Sequence, residues 1–215
     1  SALGLRGLRL SLVERKLFLS QLRAVLRASA FGKVRLLLPM VTGVDEVVEV
    51  KEILENLKEE FLGKGIDFAK DIPLGAMIEV PAAAASCSLL AAELDFLSIG
   101  SNDLVQYANA ADRQNNHVSY LSQPIHPGVV QLIFWSVTAA KKLRRPVFIC
   151  GEMASDPKYL PLLLGLGLTQ LSVRPSVISD IKKRIENTSV KSSKSLVERF
   201  ISSGDSTVLK ELLAD

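Results

Sequence analysis

The stretch FLSIGSNDLVQYANAADR, residues 96–113, decides how the chain folds. Phe96 to Ile99 is a short apolar run of strand length, and Gly100 allows the tight turn with which such a strand ends. Asn102 and Asp103 then project from the strand tip, and Arg113 returns a fixed positive charge about three helical turns later. An acid beside an arginine suits a metal together with an anion. Asn-Asp after Gly is equally ordinary turn and helix-capping chemistry. The ends of the other apolar runs separate the two readings.

Leu74 to Val80, LGAMIEV, is a continuous apolar run broken only by Glu79, and Pro81 is placed for the first turn of an Ala-rich helix. Val147 to Cys150, VFIC, is a further strand, followed by Gly151 and Glu152. Val34 to Met40, VRLLLPM, precedes both, and Leu171 to Val173 begins a last strand. Between them lie helical patterns. Ser11 to Ser29 places Val13, Leu17, Leu22, Val25 and Leu26 at helical spacing. The helix after Asp45 carries Val47, Val50, Ile53, Leu54, Leu57 and Phe61 on one face. A short helix is expected from Asp103 to about Ala111, one after Gln123 to Pro127 that ends in Lys141, Lys142, Arg144 and Arg145, and one over Lys158 to Leu164. Ile178 to Ile185 is helical, and the tail from about Val190 reads as two short helices separated by Ser202 to Asp205.

Five apolar strands without two-residue alternation, each followed by a helix, indicate parallel strands buried on both faces. Polar groups recur at nearly every strand end: Glu79, then Asn102 with Asp103, then Cys150 with Glu152. A (β/α) barrel brings such ends onto one face, whereas an open doubly wound sheet concentrates them at a switch point and carries a Gly-rich phosphate fingerprint that this sequence lacks. The expected fold is therefore α/β, an incomplete (β/α)8 TIM-type barrel with about five parallel strands, over residues 1–189, with a helical tail, 190–215, packed on it. Five strands do not close a barrel of eight, so either the chain is part of a longer one or an oligomer completes the core.

Composition agrees with a globular protein. Of 215 residues, 48% are hydrophobic, enough for a sizeable core, and the net charge of +3 from 26 basic and 23 acidic residues indicates no nucleic-acid surface or polybasic membrane anchor. No signal peptide or bilayer-spanning run is visible. Two cysteines, Cys87 and Cys150, make no disulfide framework, which agrees with a cytoplasmic protein.

Taken together, MIEVPAAA (77–84), IGSNDLVQYANAADR (99–113), QPIHPGVV (123–130) and ICGEMASDP (149–157) closely resemble enzyme I of the bacterial phosphoenolpyruvate:sugar phosphotransferase system, in its C-terminal phosphoenolpyruvate-binding domain. LGLRGLRL (3–10) and LRASAFGKVRLLLPM (26–40) extend the likeness over nearly the whole chain. The resemblance implies the last five strands of the family's barrel. It also implies that the intact enzyme transfers a phosphoryl group from phosphoenolpyruvate to a histidine of a separate N-terminal domain, then to a small phosphocarrier protein, leaving pyruvate. Glu79 and Asp103 match the carboxylates that hold Mg2+, and Asn102 and Asp103 the segment that meets the substrate. Arg113 matches a phosphate-binding arginine, Arg6 a further arginine near it, and Cys150 the acid that protonates the enolate carbon. A thiol with an unperturbed pKa of about 8.5 stays largely protonated near neutrality, as that role needs. Glu152, Arg9 and Gln106 are candidates for supporting the site.

His117 and His126 sit in no pattern resembling the family's phosphorylated histidine and are read as structural or loop residues, and Cys87 as a buried inert thiol. Ser101 and Val80 stand where the family usually has Thr, and Arg174, after the last strand, replaces a small residue; it lies either at the site mouth or against a carboxylate. The family's first barrel strands, with a further phosphate-binding arginine, would precede Ser1, so the chain alone is not expected to turn over. A homodimer is implied by the resemblance, and an exposed barrel edge is a physical reason for association. The rival readings are part of a pyruvate phosphate dikinase or phosphoenolpyruvate synthase, and a non-catalytic dimerisation or regulatory module.

Overall fold

Four strands, Leu36–Leu38 (β1), Leu74–Ile78 (β2), Phe96–Gly100 (β3) and Val147–Cys150 (β4), form one sheet in the order β1-β2-β3-β4 with every pair parallel. They are seen in a computed structural model that describes residues 2–205 and 207–214. The strand order never reverses, so the sheet is an arc of barrel wall, not an open sheet with a switch point.

The register fixes what each face carries. Gly75 lies opposite Phe96, Met77 opposite Ser98, Ser98 opposite Phe148 and Gly100 opposite Cys150. By the two-residue period of a strand these side chains share one face, and Glu79, two residues past Met77, continues it. The other face holds Ala76, Ile78, Leu97, Ile99 and Ile149, all fully buried in one core with the helices.

The fifth expected strand is reduced to a single bridge between Ile149 and Leu171. Ile149 N donates to Gln170 O at 3.1 Å and Ser172 N to Ile149 O at 2.8 Å. Pairing stops there because Arg174 N turns to Ser155 Oγ, 3.3 Å away, and Pro175 has no N–H to offer.

The helices in chain order are Leu8–Val13 (α1), Arg15–Ser29 (α2), Val44–Gly63 (α3), Pro81–Ala85 (α4), Cys87–Glu93 (α5), Ser101–Ala108 (α6), Pro127–Lys142 (α7), Glu152–Ser155 (α8), Leu160–Gly165 (α9), Ile178–Glu186 (α10), Val190–Ser203 (α11) and Thr207–Ala214 (α12). The single helix expected over Ser11 to Ser29 is two, broken at Glu14. Leu8 anchors the first, and Phe18, Leu22 and Leu26 bury the second one turn apart, which leaves Val13 and Leu17 62% and 67% exposed rather than on the buried face. All six expected apolar positions of α3 are buried. Glu46 secures its start by accepting from Thr42 N and Gly43 N at 2.5 and 3.2 Å. Pro81 and Pro127 occupy first turns, and His126 Nδ1 accepts from Gly128 N at 3.1 Å, a structural cap as read from the sequence. In the tail, Gly204 closes α11 in the left-handed region at φ 70°, and α11 and α12 pack on α9. Among the described residues no helix is long and apolar enough to cross a membrane.

Candidate active site at the strand ends

The C-terminal ends of β2, β3 and β4 deliver Glu79, Asn102 with Asp103, and Cys150 to one rim of the sheet, where Arg6 and Arg113 meet them. Asp103 is central. It stands in the first turn of α6, its side chain 12% exposed, with Oδ2 3.3 Å from an Arg6 guanidinium nitrogen and Oδ1 3.8 Å from one of Arg113. The second distance is beyond hydrogen bonding, and Oδ1 is buried with no hydrogen-bond partner. Arg6 also donates to Tyr107 Oη at 3.2 Å, and that hydroxyl donates to Ala2 O at 2.6 Å. The segment before α1 is thereby pinned to α6, one turn beyond Asp103.

The short helix expected to run to about Ala111 stops earlier, and Arg113 reaches the site from the loop beyond it. The helix ends at Ala108, Ala110 takes a left-handed φ of 50°, and the chain folds back so that Arg113 N donates to Gln106 Oε1 at 3.0 Å.

Glu79 is 4% exposed, with Oε1 accepting from Met40 N at 2.7 Å. Gly100 leaves room for it, since a Cβ there would lie 2.7 Å from Glu79 Oε2. Burial pushes the Glu79 carboxyl above its ordinary range; the Met40 amide opposes this, Asp103 adds to it, and Arg6 and Arg113 oppose it. Burial likewise raises the Cys150 thiol, against a hydrogen bond with Ser98 and with help from the Glu79 and Asp103 charges. Cys150 is half-buried, its Sγ 3.5 Å from Ile99 O, and stays a protonated thiol at neutral pH. Cys87 is buried in the core and pushed up to about 11, the inert thiol expected of it.

Asn102 and Ser101 tie β3 to β4. Asn102 Oδ1 accepts from Glu152 N at 2.8 Å, and Ser101 Oγ donates to Cys150 O at 2.7 Å. Gly151 sits between them at φ 91° and ψ −166°, a region essentially reserved for glycine.

Two clefts flank this cluster. One of about 250 Å3 is lined by Asn102, Gln106, Arg113, Ser122 and Glu152. The other, about 850 Å3 and open, is lined by Asn102, Cys150, Glu152, Asp156 and Arg174. Arg174 is exposed at the mouth and forms no ion pair among the described residues, which decides between the two places open to it in the sequence. Glu152 and Gln106 contribute as described; Arg9 instead lines a separate apolar cavity of about 330 Å3 with Met40 and Tyr107.

Sequence reasoning missed Met40, Tyr107 and Ser122. Tyr107 was within reach, because it lies four residues after Asp103 and so on the same helix face. The Met40 amide and the Ser122 hydroxyl carry no sequence signal.

No cluster of three or more His, Cys, Asp or Glu able to hold a metal occurs among the described residues. Two carboxylates, one with an orphaned buried oxygen, nevertheless fit Mg2+, which takes one or two protein carboxylates and completes its shell with water and substrate oxygens.

A family model described as PEP-utilising enzyme, PEP-binding domain, matches residues 1–190. The chain is 42% identical over 204 residues to the phosphoenolpyruvate-protein phosphotransferase of Cupriavidus necator, and 44% identical over 209 residues to that of Mycoplasma genitalium. These alignments take in 95% and 97% of this chain but 35% and 36% of the relatives, so the chain spans about a third of their length. Among solved structures it is similar to a citrate lyase from Burkholderia xenovorans (TM-score 0.58, 20% identity, 77% of this chain and 53% of that one). It is also similar to RipC from Yersinia pestis (TM-score 0.53, 16% identity, 77% and 69%). At such identities the likeness concerns the fold, here of the TIM-barrel type.

Proposed function

Because this chain belongs to the PEP-utilising enzymes through their PEP-binding domain, we propose that its strand-end site binds phosphoenolpyruvate and serves a phosphoenolpyruvate-protein phosphotransferase. The observation that carries the reading is the state of Asp103: one carboxylate shared by two arginines, with one oxygen buried and unsatisfied beside the buried Glu79. Such a cluster leaves an acid oxygen open to a cation and two part-exposed arginines open to an anion. Magnesium phosphoenolpyruvate supplies both.

Glu79 and Asp103 would hold Mg2+, which when bound neutralises charge on substrate oxygens. Arg113 and Arg6, already drawn to this rim by Asp103, offer the fixed donors that a phosphoryl group in transfer requires. Asn102, held by the Glu152 amide, orients the substrate between the two clefts. As the bond between phosphorus and the enol oxygen breaks, the phosphoryl group passes to a histidine nitrogen of another domain and the electron pair stays on the enolate. The Cys150 thiol then gives its proton to the enolate carbon, forming pyruvate; its raised pKa keeps that proton in place until a base as strong as the enolate appears. The phosphohistidine next serves a phosphocarrier protein, and the setting is cytoplasmic, where Cys87 and Cys150 remain free thiols.

Calorimetric titration with oxalate, a mimic of enolpyruvate, tests this. Binding should need Mg2+ and should be lost in Asp103→Ala. Metal-independent binding, affinity unchanged in that variant, or no binding at millimolar oxalate would each overturn the proposal.

A further inference from the structure

Among the described residues only two buried side-chain polar atoms lack a hydrogen-bond partner, and both belong to the strand-end site: Asp103 Oδ1 and Ser122 Oγ. The first is an acceptor and suits a cation. The second can donate, and its residue lines the 250 Å3 cleft together with Arg113, Asn102 and Gln106.

We propose that the Ser122 hydroxyl is a further substrate-positioning group that donates to an oxygen of the phosphoryl group held by Arg113; this rests on the phosphoenolpyruvate reading above. Leaving a buried hydroxyl unsatisfied is destabilising, and native proteins tolerate it chiefly where a ligand or ordered water completes it. The loop is built to keep Ser122 in place. Ser122 N donates to Ser119 O at 3.0 Å, the preceding carbonyl of Leu121 accepts at 2.8 Å from Nδ2 of Asn109, the residue that caps α6, and Gln123 Nε2 donates to Tyr120 O at 2.9 Å. Arg113 is fixed to the same helix through Gln106. The cleft wall therefore carries Arg113 and, from the same loop, Ser122 with its hydroxyl just beneath the surface, both anchored on α6. The guanidinium has no acceptor to offer the hydroxyl. The Glu152 carboxylate at the rim is exposed, with its backbone amide committed to Asn102, so an acceptor-rich anion is the partner that satisfies both donors. The other serines of the site are engaged: Ser101 donates to Cys150 O, and Ser155 accepts from Arg174 N.

The test is titration of the wild-type chain, Ser122→Ala and Ser122→Thr with phosphoenolpyruvate and, separately, with oxalate, each with Mg2+. Oxalate has no phosphoryl group. Ser122→Ala should bind phosphoenolpyruvate about ten- to a hundredfold more weakly, the worth of one hydrogen bond to a charged acceptor. Oxalate affinity should stay within about twofold, and Ser122→Thr should restore phosphoenolpyruvate affinity. Equal phosphoenolpyruvate affinity in Ser122→Ala and wild type would mean that water satisfies the hydroxyl, and would overturn the inference alone. Parallel loss of both ligands would mean a merely structural loop residue and would also overturn it. Failure of the wild type to bind either ligand would instead overturn the reading on which the inference rests.

Discussion

Glu79 shows how a single residue can hold a site at a cost to the fold. Its carboxyl is almost wholly withdrawn from water, and one backbone amide and two arginines only partly offset the loss of hydration. A carboxyl whose folded-state pKa is raised favours the native state most below its ordinary value of 4.5 and gives up that contribution as pH rises through the raised value. In a chelator-containing buffer, wild-type stability should therefore fall as pH rises from 4.5 toward neutrality. Glu79→Gln, which keeps the acceptor for Met40 N, should lose that fall. Denaturant melts across this range measure it, and an unchanged pH slope in the variant would contradict the account. Glu60, drawn down to about 2 by hydrogen bonds with Arg23 and Lys64, acts in the opposite sense and only below its ordinary pKa; it lies in a surface ion pair screened by solvent and contributes little. Of the residues at this scale, Glu79, Asp103, Arg6 and Arg113 were legible from their motifs. Ser122 was not, because an orphaned hydroxyl is defined by what surrounds it.

At the scale of elements, the site depends on how closely the ends of β3 and β4 approach. Gly151 is the tightest point: a Cβ there would collide with Ser101 Oγ and lie 2.7 Å from Asn102 Oδ1, in a backbone conformation that side chains rarely adopt. Gly151→Ala should destabilise the chain by about 2 kcal/mol, combining backbone strain with displacement of Asn102 from the Glu152 amide. Urea denaturation gives the magnitude, and a change below about 0.5 kcal/mol, the range of ordinary surface substitutions, would show that the two strand ends are not held together here. The elements themselves were largely readable. Six apolar positions of α3 at helical spacing, and the proline at the start of α4, describe those helices without tertiary knowledge. The break at Glu14 was not, because the apolar spacing runs on through Val13 and Leu17 while the packing does not.

At the scale of the molecule, those two side chains are informative. Leu10 and Val13 on α1 and Leu17 on α2 are exposed apolar side chains, and both edges of the sheet end in short or bridge-like pairing. We propose that a second copy of the chain covers these side chains in the homodimer that the family resemblance implies. Sedimentation equilibrium should find a dimer that Leu17→Lys weakens by at least tenfold, with circular dichroism unchanged because Leu17 is already exposed. A monomer at micromolar concentration, or a dimer indifferent to Leu17→Lys, would reject the assignment.

The sequence by itself determined the class of fold and the polar residues at its strand ends, because continuous apolar runs with intervening helical periodicity admit few arrangements other than parallel strands joined by helices, and because polar groups at strand ends stand out against apolar strands. Tertiary structure alone decided that the fifth strand shrinks to one bridge and that the chain reverses at Ala110 to bring Arg113 back to Gln106. It also decided that Arg174 faces the Cys150 cleft and that, among the described residues, Asp103 Oδ1 and Ser122 Oγ are buried without a hydrogen-bond partner. Each of these depends on contacts between residues far apart in the chain. Local propensity and spacing carry no record of a distant partner, or of a partner left out.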